Sequence, residues 1–157
     1  MRIAVGSDHA GFLLKESLAR HLRDAGHDVV DCGTYSEERV DYPDYGAAVG
    51  RTVVSGEADG GVCVCGSGIG IAIAANKVAG VRAATVHDAT SARLAREHND
   101  ANVICMGERL TGPQVALDAL DAWLAAEFEG GRHVARVAKL DALGGEGPGG
   151  TLPSSRP

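Results

Sequence analysis

Gly61-Val62-Cys63-Val64-Cys65-Gly66-Ser67-Gly68-Ile69-Gly70 decides how this chain is read. Its first half is an apolar run of strand length. Its second half is a glycine-rich turn opening into Ile69 to Ala75, which has the character of a helix start. Strand, glycine turn and helix N-terminus in succession make an anion site, because glycines let backbone N–H groups converge and the helix dipole adds positive potential. The same dipole favours ionisation of a neighbouring thiol. Cys65, closing the strand, is therefore placed to act beside a stabilised oxyanion.

Outward from this stretch, strand and helix patterns alternate with short gaps. Ile3 to Gly6 reads as a strand, and Gly11 to Ala25 as a helix carrying Leu14, Leu18, Leu22 and Ala25 on one face, closed by Gly26. Val29 to Cys32 is a second strand, ending at Gly33. A polar loop, Thr34 to Asp41, leads to Pro43 and a helix to about Ser55, with proline in its first turn. Beyond the central stretch come a strand over Val81 to Val86, a helix over Asp88 to Glu97 with Asp88 as N-cap, and a fifth strand, Asn102 to Met106. Helices over Gly112 to Phe128 and Arg132 to Leu143 follow. Five strands with helical crossovers predict an α/β fold, a single-domain doubly wound parallel sheet of the Rossmann-like or flavodoxin-like three-layer kind, whose ligands bind at the carboxyl ends of the strands.

The 157 residues fit one such domain, over residues 1–143. The Gly-, Pro- and Ser-rich remainder, 144–157, reads as a flexible tail with too little apolar surface to fold independently. No apolar run is long enough to span a bilayer, and the N-terminus runs directly into the first strand without room for a signal peptide. No membrane association and a cytoplasmic location are expected. A net charge of −6, with no basic run, argues against a nucleic-acid surface. Anionic small molecules stay open because Arg132, His133 and Arg136 gather locally.

Of the four cysteines, Cys32, Cys63 and Cys105 read as small apolar fillers of strands, and Cys63-x-Cys65 lacks the second pair or the His-x-x-x-His that a zinc site needs. Gly66-x-Gly68-x-Gly70 is not a dinucleotide fingerprint, since Ile71 stands where the third small residue belongs. It is not a Walker loop either, with Lys77 too far along. Asp8-His9 after the first strand, Tyr42 before the second helix and His98-Asn99-Asp100 before the fifth strand also carry suggestive chemistry. Asp8 could equally be a helix cap, and His21, His27, His87 and His133 read as surface or structural residues.

Five blocks carry a resemblance to a known family: Gly6-Ser7-Asp8-His9-Ala10-Gly11-Phe12, Asp41-Tyr42-Pro43, Cys65 to Gly70 running on through Ala74-Ala75-Asn76-Lys77, Arg96 to Asn102, and Glu129-Gly130-Gly131-Arg132-His133-x-x-Arg136. Over residues 1–143 the chain resembles the type B ribose-5-phosphate isomerases and their relatives acting on galactose 6-phosphate and allose 6-phosphate. The resemblance implies an aldose–ketose isomerase that moves a proton between adjacent carbons through an enediolate. It implies Cys65 as the carbon base, Ser67 as a proton shuttle at the oxygens and His98 as the ring-opening acid/base. Backbone groups of Gly66, Gly68, Ile69 and Gly70 with Asn99 would steady the oxyanion. Asp8 and Tyr42 would bind sugar hydroxyls, and His9, Arg109, Arg132 and Arg136 the phosphate, for which guanidinium forks are suited. One branch of the family has a glutamate base just after the glycine turn; Ile71 occupies that position here, which favours Cys65. Ser67 replaces a common threonine and keeps the hydroxyl.

The resemblance further implies no metal or organic cofactor, and a homodimer or dimer of dimers with sites shared between subunits. Ribose 5-phosphate is the expected substrate. A six-carbon or four-carbon sugar phosphate is the alternative within the family, and a non-catalytic flavodoxin-like binding module the alternative outside it.

Overall fold

The computed structural model describes residues 1–145. Five strands, β1 (Arg2–Ser7), β2 (Asp28–Asp31), β3 (Gly60–Cys65), β4 (Ala83–Thr85) and β5 (Val103–Gly107), form one all-parallel sheet in the order β2-β1-β3-β5-β4. The helices are α1 (Phe12–Asp24), α2 (Tyr42–Val54), α3 (Ile69–Ala75), α4 (Ala89–Asn99), α5 (Pro113–Ala125) and α6 (Val134–Gly145). Every residue of β3 is buried, as required of a central strand with helices over both faces.

Strand periodicity sorts side chains between two cores. Val62 and Val64 join Ile3, Val5, Ile104 and Met106 beneath α1, α4 and α5, where Leu14, Leu18, Leu22, Leu120 and Trp123 pack. Cys63 and Cys65 face the other way, with Ala4, Val103 and Cys105, beneath Val49 and Val53 of α2 and Ile71, Ala72 and Ala75 of α3. The doubly wound three-layer expectation is met, and Cys63 and Cys105 are the core fillers that their apolar strands implied.

Some boundaries differ for local reasons. The first helix begins as a short 3-10 turn, His9–Gly11, because the Asp8 carboxylate captures the N–H groups of Ala10 and Gly11. The strand expected over Val81 to Val86 shrinks to Ala83–Thr85, an edge strand paired with β5 alone. Asp88 caps α4 with Ser91 in a reciprocal box, and α4 extends past Glu97 to Asn99, stopping where Asp100 turns left-handed at φ 46°. Arg132 lies in a 3-10 turn, Gly131–His133, that precedes α6 instead of opening it. Beyond the two residues that complete α6, the expected tail lies outside the described residues.

From β1 the chain turns outward to β2, and β3 then lies on the opposite side of β1. The carboxyl ends of β1 and β3 thus flank the switch point of the sheet, where open α/β sheets leave a crevice. Asp8 follows the first of these ends and Cys65 closes the second.

Candidate active site

That crevice is a cavity of about 560 Å³ lined by Asp8, His9, Tyr42, Cys65, Ser67 and Arg109, with Ala10, Gly66, Ile69, Gly70 and Leu110 completing the wall. Cys65 is almost fully buried, and its sulfur accepts the Gly68 N–H at 3.1 Å. This contact depends on the turn: Gly68 has φ +76°, and a Cβ there would come within 2.7 Å of the Met106 carbonyl carbon. No other residue type fits both conditions. The Ser67 hydroxyl accepts the Ile69 N–H at 3.3 Å, and among the described residues the N–H groups of Ser67 and Gly70 have no protein acceptor. The turn therefore presents free donors beside the thiol.

Each remaining wall is held by its own element. Asp8 is indeed a cap, through Oδ1 to Ala10 and Gly11 at 3.0 and 3.1 Å, yet it also borders the cavity, so the two readings of this residue coexist. His9 meets the loop before α2, with Nδ1 3.0 Å from the Val40 carbonyl oxygen. Tyr42 opens α2 and lies over Gly70, where a Cβ would fall 2.8 Å from the phenol ring. Arg109 sits beyond β5 in a turn whose Glu108 and Arg109 N–H groups donate to the carbonyls of Cys65 and Gly66. Its guanidinium lies over Gly66 and has no carboxylate partner among the described residues. An unpaired cation at the mouth of a donor-rich crevice suits a dianionic group.

Four expected site residues lie elsewhere. His98 and Asn99 occupy the last turn of α4, which leads into the amino end of β5, the opposite end of the sheet from Cys65. Asn99 borders a separate cavity of about 470 Å³ with Arg82, Leu140 and Asp141. Arg132 and Arg136 stand near His98, joined through His133, whose ring stacks on that of His98 at 4.5 Å between centroids. Glu129 Oε2 lies 3.8 Å from His98 Nε2 and 3.7 Å from His133 Nε2. These three side chains bring ligand-type atoms within 4.8 Å of one another. Arg132 Nε already donates to His133 Nε2, however, and two guanidinium groups nearby favour an anion over a metal ion.

The pattern along the chain did not disclose Glu108, whose carboxylate accepts the Leu14 N–H at 3.0 Å and so ties the Arg109 turn to the start of α1. Ninety-four positions separate the pair, and no local pattern records such a contact. Lys15 was equally silent as a member of an apolar-faced helix. It is completely buried, bonded to both Asp31 carboxylate oxygens and to the Thr34 carbonyl.

Comparison with known proteins gives one consistent result. Residues 3–140 match the family model described as Ribose/Galactose Isomerase. The chain is 49% identical over 142 residues to ribose-5-phosphate isomerase B of Escherichia coli, covering 90% of this chain and 95% of that protein. It is 42% identical over 144 residues to the galactose-6-phosphate isomerase subunit LacB of Clostridium acetobutylicum, covering 91% and 83%. The structure of Clostridium thermocellum ribose-5-phosphate isomerase B superimposes with a TM-score of 0.90 at 52% identity, covering 91% of this chain and 97% of that one. That of the Trypanosoma brucei type B enzyme gives 0.87 at 50% identity, covering 90% and 97%.

Proposed function

This chain belongs to the ribose/galactose isomerase family, and we propose that it interconverts ribose 5-phosphate and ribulose 5-phosphate with Cys65 as the base at carbon. It is a sugar-phosphate aldose–ketose isomerase. The observation that carries the cysteine reading is the shared cavity of Cys65 and the unpaired Arg109, which lines one sugar-sized space with both a thiol and a phosphate-type cation.

In this reading His98 passes a proton between the anomeric hydroxyl and the ring oxygen to open the sugar. Cys65, as thiolate, then takes the C2 proton; the C–H electrons form the C1–C2 double bond and the aldehyde oxygen becomes the enediolate oxygen. Free N–H groups of the Gly66–Gly70 turn and the Asn99 amide stabilise that charge. Ser67 relays a proton between O2 and O1, and the Cys65 thiol returns its proton to C1. Asp8 and Tyr42 hold hydroxyls. His9, Arg109, Arg132 and Arg136 hold the phosphate. The chemistry closes without a cofactor.

A homodimer, or a pair of dimers, accounts for the separation of the residues: a second copy brings His98, Asn99, Arg132 and Arg136 to the Cys65 cavity of the first, and receives the same in return. Exposed Ile69, Ile73, Tyr42 and Leu110 around that cavity supply apolar surface for such a contact. No helix among the described residues is long and apolar enough to cross a membrane, and we assign the enzyme to the cytoplasm, where a thiol base stays reduced.

The test is a panel of four-, five- and six-carbon aldose phosphates. The reading expects the highest kcat/KM with ribose 5-phosphate. A higher value with allose or galactose 6-phosphate would make this a hexose-phosphate member of the family, and no turnover with any of them would leave a binding module.

A further inference from the structure

His133 has no part in the scheme above, yet it touches two residues that do. It is 5% exposed, its ring lies 4.5 Å from that of His98 with the planes within 8°, and its Nε2 accepts the Arg132 Nε–H at 3.3 Å. We propose that His133 is a positioning residue that couples phosphate binding to ring opening, orienting Arg132 through Nε2 and His98 through its ring face. The proposal rests on the roles given to His98 and Arg132 under the proposed function.

The hydrogen bond fixes the ring's chemistry. An Nε2 that accepts from a guanidinium must carry a lone pair, so the imidazole proton sits on Nδ1 and the ring is neutral. Burial first, then the positive fields of His98, Arg132 and Arg136, hold the His133 pKa below the ordinary histidine value, against the opposing pull of Glu129. Neutrality serves both contacts. A cationic His133 would have no lone pair for Arg132 and would repel the charge His98 acquires while passing its proton. A neutral ring face supports a stacked imidazolium instead. With Nε engaged, Arg132 keeps both terminal nitrogens for phosphate oxygens.

Two substitutions separate the contacts. His133→Phe keeps a ring face and removes the acceptor, so KM for ribose 5-phosphate and the inhibition constant of inorganic phosphate should rise together, about ten-fold, with kcat within roughly two-fold. His133→Gln keeps an acceptor and removes the ring. Its kcat on cyclic ribose 5-phosphate should fall about ten-fold. Deuterium exchange at C1 of ribulose 5-phosphate, which cannot close a furanose because O5 is phosphorylated, should remain near wild type.

Equal losses in all readouts for both variants, or no loss in either, would reduce His133 to packing and overturn the coupling. His98→Asn is the control. If it slows ribose 5-phosphate turnover selectively and His133→Gln does not, the coupling alone fails; if it has no selective effect, the His98 role fails and the coupling falls with it. Should the variants not fold, nitrogen-15 imidazole shifts of the wild-type enzyme decide the matter: a neutral Nδ1–H ring at pH 7 is required, and an Nε2–H or cationic His133 overturns the proposal.

Discussion

The Gly68 N–H donates to Cys65 Sγ across 3.1 Å, which makes the glycine turn part of the thiol's immediate surroundings and not merely a connection between strand and helix. Gly68→Ala combines a positive φ with a Cβ 2.7 Å from backbone, so the turn must move. A displacement of about 1 Å at a reacting group costs on the order of 100-fold in rate. The variant should lose kcat on that scale while its far-ultraviolet circular dichroism stays native. Wild-type turnover would mean that the Gly68 contact is incidental.

Phosphate recognition should be separable from fold. Arg136 has no carboxylate partner among the described residues, so Arg136→Ala removes a cation without orphaning an anion. KM for the sugar phosphate and the inhibition constant of inorganic phosphate should rise in parallel by about ten- to a hundred-fold, the equivalent of roughly 1.5 to 3 kcal/mol for a charge-assisted contact. The thermal midpoint should barely move. Unchanged phosphate inhibition would return Arg136 to the surface.

Thiol chemistry should be selective. Hydrogen bonding to Cys105 and then burial push the Cys63 thiol well above its ordinary range, and burial pushes Cys32 up as well. Both stay protonated and unreactive at neutral pH. Iodoacetamide should therefore label Cys65, on the cavity wall, ahead of the others and abolish activity in step, and inorganic phosphate should slow it. Peptide mapping that found Cys63 or Cys32 modified first would contradict this order.

Lys15 is expected to matter for stability. Its ammonium is fully buried against Asp31, Glu16 and the Thr34 carbonyl, and removing it strips the Asp31 carboxylate of its cation. Lys15→Ala should cost about 3 to 5 kcal/mol in urea unfolding. A loss below about 1 kcal/mol would assign the pair to the weakly contributing surface class.

The sequence made the layered architecture legible because β3 and its neighbours are short apolar runs separated by helices, and Gly66 to Gly70 marks a strand end where backbone donors converge. Asp8, Tyr42 and Cys65 could be singled out from their places at strand and helix ends. Arg132 and Arg136 stood out as a local basic cluster, whereas Arg109 needed the family resemblance, since an isolated arginine in a turn has no local signature. Glu108, Lys15 and His133 stayed hidden for a related reason. Their partners, Leu14, Asp31 and His98, meet them only after the chain has folded, and His133 in particular has the composition of any surface histidine. The placement of His98 and Asn99 at the amino end of β5, away from Cys65, follows from their position just before that strand in an all-parallel sheet, whose carboxyl ends carry Cys65.

A shared site predicts complementation. Cys65→Ala and His98→Asn chains should each be nearly inactive alone. Mixed after dissociation and reassociation, they should recover activity, because a mixed pair contains one site with both wild-type residues. No recovery in verified mixed dimers would mean that Cys65 and His98 do not act in one site.

The proton transfer itself gives the most direct test of the account. Cys65→Ala should bind ribulose 5-phosphate within a few-fold of wild type, as read by calorimetry, yet show no enzyme-dependent deuterium exchange at C1, because nothing else in the cavity is assigned to remove that proton. Exchange in the alanine variant at a rate near that of the wild-type enzyme would contradict the assignment of Cys65 as the base.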